Sequence, residues 1–193
     1  MTDKFLTKFC NYYNVPLKSG IELVRRMEKV HFQKGEILVR PGEKNTDFFL
    51  IAEGCWRGYY YQDGVDTTLW FAIEGEAVMS TWGYVANENS LIYVEALSNN
   101  ILYKISKTDL EDYFYQSIEN ANIGRKLFER QFLYIDQEIL TGGDFRAKER
   151  YLTLLNERPE LFQHVPLKYI ASYLKITPQS LSRLRSNIAR KSK

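Results

Sequence analysis

Between residues 3 and 30 the apolar positions Phe5, Leu6, Phe9, Ile21, Leu23, Val24 and Met27 interleave with charges, which predicts two helices split at Val15-Pro16 and Gly20. From His31 to about Ser106 the pattern shifts to short apolar runs rich in β-branched and aromatic residues, and seven of the eleven glycines fall there. Short runs punctuated by turn residues predict an antiparallel β-barrel or jelly roll, with Asp63-Gly64 as a hairpin turn between GYYY and TTLWF. Ser106 and Asp109 are spaced as a capping box for a short helix ending at Tyr115. Beyond it Ile118, Ala121, Arg125, Phe128, Phe132, Ile135 and Ile139 keep alternating steps of three and four, the seam of a long helix from about Gln116 to Leu140. Thr141-Gly142-Gly143-Asp144 interrupts that seam and reads as a hinge. Ala147, Tyr151, Leu154 and Leu155 then open a last helical part.

Near the end, PLKYIASYLKITPQSLSRLRSNI repeats the helical grammar twice around a tight turn. Leu167, Ile170, Ala171 and Leu174 form one buried stripe, and Leu181, Leu184 and Ile188 form a second. Between them Thr177 suits an N-cap and Pro178 the first helical position, where a missing N–H costs nothing. This is the pattern of a helix-turn-helix. Gln179, Ser180, Ser182, Arg183 and Arg185 stay off the stripe, where a recognition helix carries base-reading and phosphate-binding groups. A small helical hairpin with a solvated basic face would share this pattern. Charge separates the two readings: residues 144–193 hold 11 Lys and Arg against 4 Asp and Glu, which leaves the preceding residues with 15 against 20. From Lys175 onward there are six basic residues and no acidic one. Such asymmetry is the footprint of a phosphate-binding module on an acidic domain.

The 193 residues are 45% hydrophobic and 15% aromatic, ample for packed cores, and no apolar run approaches the roughly 18 residues of a membrane span. With a charged, unsegmented N-terminus, the expectation is a cytoplasmic protein with no membrane partner. Cys10 and Cys55 are too few for a four-cysteine cluster and read as buried structural thiols.

The stretch FQKGEILVRPGEKNTDFFLIAEGCWRGYYYQDGVDTTLWFAIEGE, with Lys34-Gly35-Glu36, Gly42, Glu53-Gly54 and Asp63-Gly64, resembles the cyclic-nucleotide-binding β-roll of the Crp/Fnr transcription regulators. With the helix-turn-helix in its C-terminal place, the resemblance spans nearly the whole chain. It implies an α+β fold: an N-terminal antiparallel β-roll (jelly roll) with flanking helices over residues 1–115, a long dimerisation helix over 116–141, and a C-terminal winged helix-turn-helix over 142–193. In that setting Phe128, Phe132, Ile135 and Ile139 are the dimer contacts. Alternatively the stripe packs on its own roll.

In similar receptors a short cassette grips the nucleotide phosphate with an Arg, a Ser or Thr and backbone N–H groups, while a Glu holds the ribose. Laid on this chain without a gap, the cassette finds Met79-Ser80 in place of Gly-Glu and Ser90-Leu91 in place of Arg-Ser. The nearby charges, Glu88 and Glu95, have the wrong sign for a phosphate. Cyclic AMP or cyclic GMP is therefore not expected to bind in the family manner. What remains is aromatic: Trp56, Tyr59, Tyr61, Trp70, Trp82 and Tyr84 either line a pocket for a flat ligand or fill the core. Trp56, Trp70, Glu76, Trp82 and Ser90 are the candidate residues of that degenerate site, and Arg57 reads as a surface cation.

His31 and His164 are isolated, and no nucleophile-and-base set, phosphate loop or metal spacing occurs, so neither catalysis, a metal nor a cofactor is expected. The leading expectation is a homodimeric DNA-binding regulator of double-stranded DNA, with RNA polymerase a further partner and an effector that is unknown or absent. The alternative is an interaction module with nonspecific nucleic-acid contact. Where the family's frequent recognition motif places an Arg, a Glu and a later Arg, this chain has Pro178, Gln179 and Arg183. Gln179 and Arg183 are the expected base readers. Ser180, Ser182, Arg185 and Lys175 are the expected phosphate contacts.

Overall fold

A computed structural model describes residues 4–143 and 147–191, with the side chains of 137–143, 189 and 191 outside the description. Helices α1 (Lys4–Tyr13) and α2 (Leu17–Val24) lead into eight strands: β1 (Glu28–Phe32), β2 (Ile37–Val39), β3 (Phe48–Glu53), β4 (Cys55–Gln62), β5 (Val65–Ile73), β6 (Ala77–Met79), β7 (Tyr93–Ala96) and β8 (Asn100–Ile105). A π-helical turn, Trp82–Ala86, lies between β6 and β7. Six helices follow: α3 (Lys107–Tyr115), α4 (Ile118–Gly143), α5 (Ala147–Glu157), α6 (Leu161–His164), α7 (Leu167–Tyr173) and α8 (Pro178–Lys191).

The strands form two antiparallel four-stranded sheets, ordered β1-β8-β3-β6 and β2-β7-β4-β5. The hairpin expected at Asp63-Gly64 joins β4 to β5, and both turn residues have positive φ, 51° and 77°, the twist that matches strand pairing. Five consecutive residues of β3 are buried because both of its faces are covered. Phe49 and Ile51 point between the sheets with Trp56, Val78, Val94 and Leu102. Phe48 and Leu50 point the other way, into a layer of α1 to α4 that includes Phe9, Leu23, Tyr113 and Leu127.

A third cluster joins the roll to the C-terminal helices, where Cys55, Phe71 and Ile73 pack with Leu154, Leu161, Ile170, Leu174 and Leu181. Ser106 caps α3 as its spacing suggested, its Oγ accepting from Asp109 N–H at 3.1 Å.

Several features differ from the sequence expectations. Gly20 lies inside α2, where a Cβ would stand 2.5 Å from Cys10 Sγ, so a close helix crossing rather than a break explains it. Gly142 and Gly143 continue α4 rather than ending it, while residues 144–146 of the expected hinge fall outside the described residues. Glycine costs a helix only about 1 kcal/mol, which the rest of a 26-residue helix readily offsets. The strands all precede α3, so the wing expected beside the C-terminal helices has no counterpart among the described residues. Among those residues no helix is long and apolar enough to cross a membrane.

Candidate nucleic-acid interface

The last two helices are joined by a backbone device that fixes their relation. At the end of α7, Lys175 N–H donates to Ser172 C=O and Ile176 N–H to Ala171 C=O, at 2.9 and 3.0 Å, the paired bonds of a Schellman motif. The residue between them must be left-handed, and Lys175 has φ +54° where glycine is the usual choice. Thr177 then caps α8: its Oγ1 accepts from Ser180 N–H at 3.1 Å, and Pro178 opens the helix. Leu181 is fully buried, Leu184 and Ile188 half-buried, so the stripe read from the sequence faces the core.

At 100° per residue, Gln179, Ser182 and Arg183 turn away from that core, while Ser180 and Arg185 flank them. All five are exposed, as is Lys175 at the turn. Ser186 and Arg190 are exposed on the same face, three and eleven residues beyond Arg183 and Gln179. The sequence reading missed both, although the helical repeat that selects Gln179 and Arg183 also selects them.

The C-terminal helices dock on the free edge of β5. Ser172 Oγ donates to Asp66 C=O at 2.7 Å and accepts from Thr68 N–H at 2.9 Å, occupying backbone groups that an edge strand leaves unpaired. Arg57 is not the surface cation expected from its strand position: it is 2% exposed. Its guanidinium donates to Asp66 and Glu95 at 2.7 to 2.8 Å and lies between the rings of Tyr59 and Tyr169, 3.8 and 3.6 Å from their centroids. Burial works against its charge, and the two carboxylates more than offset that. Glu95, which carried the wrong sign for a phosphate, is thus committed to Arg57.

Glu76, a candidate ligand residue, instead accepts from Arg158 Nη2 through both carboxylate oxygens, at 2.6 and 2.8 Å, and takes a hydrogen bond from Ile73 N–H. Burial pushes its carboxyl up and Arg158 opposes this; a guanidinium at this distance keeps the pair ionised.

The other members of the degenerate site are dispersed. Trp56 is fully buried between the sheets, its ring edge-on to Phe32 at 5.1 Å, where it fills the roll. Ser90 is buried, its hydroxyl spent on the backbone of Ile92. Ser80 accepts from Gly83 N–H, and a Cβ at Gly83 would stand 1.9 Å from Asn45 C=O, so the cassette loop is closed tightly on the backbone opposite. Trp82 is 41% exposed on that loop. Trp70 and Glu76 share a cleft that Trp56, Trp82 and Ser90 do not line.

Along α4, Ile123 and Leu127 pack on the roll, which leaves the seam facing outward: Phe128 and Ile135 are 39% and 52% exposed and Phe132 77%. Arg125 pairs with Glu129 on the helix surface. Ile139 lies outside the described side chains.

Residues 29–117 match the cyclic nucleotide-binding domain family. FixK2 from Bradyrhizobium japonicum superposes with a TM-score of 0.71 at 18% identity, covering 86% of each chain. The c-di-GMP-responsive global regulator CLP of Xanthomonas campestris gives 0.68 at 15% identity, over 92% of this chain and 93% of its own. A transcriptional regulator described as of the Crp/Fnr family, from Eubacterium rectale, gives 0.65 at 17% identity, over 94% and 88%.

The fold is that of the Crp/Fnr regulators. The matched span, residues 29–117, contains the stretch whose motifs resemble the family's β-roll. No curated protein matches the sequence. Among the described residues no group of three or more His, Cys, Asp or Glu could hold a metal ion.

Proposed function

We propose that this chain is a cytoplasmic, homodimeric, sequence-specific DNA-binding transcription regulator whose roll does not take a cyclic nucleotide in the family's manner. The observation that carries the reading is the outer face of α8, where Gln179 and Arg183 stand exposed on a helix fixed by a Schellman turn and an N-cap. Arg183 pairs bidentately with guanine and Gln179 with adenine, each worth about 1–3 kcal/mol of discrimination. Ser180, Ser182, Arg185 and Lys175 hold phosphates, which fixes register without reading sequence.

The outward seam of α4 supports the dimer, because Phe128, Phe132 and Ile135 would otherwise stay in water. Two copies then place α8 in successive major grooves, about 34 Å apart. The filled roll and the closed cassette loop support the loss of cyclic-nucleotide binding, since the cation that a buried phosphate needs has no place there.

Selection of bound duplexes from a random pool tests the reading. The expected product is a two-fold site with half-sites about 10 base pairs apart, and inserting roughly five base pairs between them should abolish tight binding. Recovery of unrelated sequences with no common motif would favour a nonspecific interaction module instead.

A further inference from the structure

Outside the roll, a cavity of about 770 Å³ opens between the β4–β5 hairpin, α4 and the C-terminal helices. Its size falls within the range of small-molecule sites, roughly 300–1,000 Å³. Two properties of its wall define an occupant. The first is aromatic: Tyr12, Tyr60, Trp70, Tyr134 and Tyr173 approach it from α1, the hairpin, α4 and α7. Trp70 is held flat against its neighbouring strand, for a Cβ at Gly58 would stand 2.2 Å from its indole ring. A planar apolar body fits such walls.

The second property is charge. Among the described residues four cations line the cavity, Arg130, Arg150, Arg158 and Lys175, against three carboxylates, Glu76, Glu157 and Glu160. Glu76 and Arg158 neutralise each other at 2.6 Å, which leaves three cations against two acids, a surplus of one. Arg130 is held 4.5 Å over the ring of Tyr12, and its buried Nε meets no acceptor among the described residues. Arg150 is fixed by donating to Tyr173 C=O at 3.0 Å, so a second guanidinium borders the space from the C-terminal side.

We propose that this cavity binds a small aromatic monocarboxylate. The ring lies among the aromatic walls, and the carboxylate takes hydrogen bonds from Arg130 and Arg150. A surplus of one positive charge suits a monoanion better than a phosphate dianion. The site touches both α4 and Lys175, the left-handed residue just before the cap of α8, so an occupant ties the seam helix to the turn that sets the outer face of α8. Occupancy stands on the cavity alone, whereas a role as effector rests on the DNA-binding function proposed above.

Calorimetry on the full chain tests it with indole-3-acetate, 4-hydroxyphenylacetate and benzoate, against tryptophol, tryptamine and inorganic phosphate. At least one of the acids should bind with a submillimolar Kd, and tryptophol should bind at least tenfold more weakly than indole-3-acetate. Arg130→Gln and Arg150→Gln should each raise the Kd of the acid at least tenfold; if one variant does not fold, the other decides. Absence of binding by all three acids, equal affinity for tryptophol, tighter binding of phosphate, or wild-type affinity in a folded variant would overturn the proposal. Adding the bound acid to a DNA titration separates the two ideas. Acid binding without sequence-specific DNA binding refutes the regulator and keeps the site, and DNA binding without acid binding does the reverse.

Discussion

The contact between Glu76 and Arg158 is an ion pair that ties the roll to the C-terminal helices, and its removal has a defined cost. The two side chains are 11% and 16% exposed and meet at 2.6 Å. At an effective dielectric of about 20, unit charges at that distance attract by roughly 6 kcal/mol, and desolvation of both ions cancels much of this. Arg158→Met removes the attraction and leaves the carboxylate buried with Ile73 N–H as its remaining partner. Breaking a buried pair in this way costs about 3–5 kcal/mol. For a chain of this length each kcal/mol lowers Tm by about 2–4 °C, so a fall of roughly 6–20 °C is expected. The double variant Glu76→Leu, Arg158→Met buries no charge and should recover most of the loss. Phe71 C=O, which accepts from Arg158 at 3.1 Å, remains unsatisfied and keeps about 1 kcal/mol of it. Urea denaturation of wild type, both single variants and the double gives the coupling energy directly. A loss under about 1 kcal/mol for Arg158→Met, or a double variant no more stable than it, would refute the reasoning.

Three further outcomes follow from particular residues. Lys175→Gly should stabilise the chain by about 0.5–1 kcal/mol in urea, because glycine adopts φ +54° without the clash that lysine bears and loses part of the gain to unfolded-state entropy. Phe132→Glu, at a position 77% exposed in the single chain, should give a monomer in place of a dimer by sedimentation and a Tm that no longer rises with protein concentration. Burial pushes the Cys55 thiol up to about 12 and raises that of Cys10 as well. Thiolate at Cys55 is then roughly one part in ten thousand at pH 8, so iodoacetamide should label the two cysteines at an appreciable rate only in denaturant.

The strand grammar, the Asp63-Gly64 hairpin, the Ser106 cap and the two C-terminal stripes were legible because each depends on residues close in sequence. What the sequence concealed depends on distant partners. A strand period says that Arg57 alternates with Trp56, yet its burial follows from Asp66, Glu95 and Tyr169, which the fold brings to it from three other elements. Glu76 lay in a cassette by alignment, while its partner is 82 residues away. The aromatic set was read as one group from its density in the chain. Trp56, Trp70 and Trp82 in fact occupy the roll interior, the interdomain cavity and an exposed turn, since neighbouring strands divide their side chains between faces. The glycine pair in α4 shows the limit of local propensity, a small term beside the packing of a long helix.

The central claim is tested most directly by titrating the full chain onto its selected duplex and onto a scrambled one, by anisotropy at about 50 and 200 mM salt. Wild type should prefer the selected duplex by at least 10³-fold and lose affinity steeply with salt, as about six to ten phosphate contacts require. Arg183→Ala should flatten the preference, whereas Arg185→Ala should weaken both duplexes alike and lower the salt slope by about one. Equal affinity for the two duplexes, or wild-type preference and slope in both variants, would contradict the account.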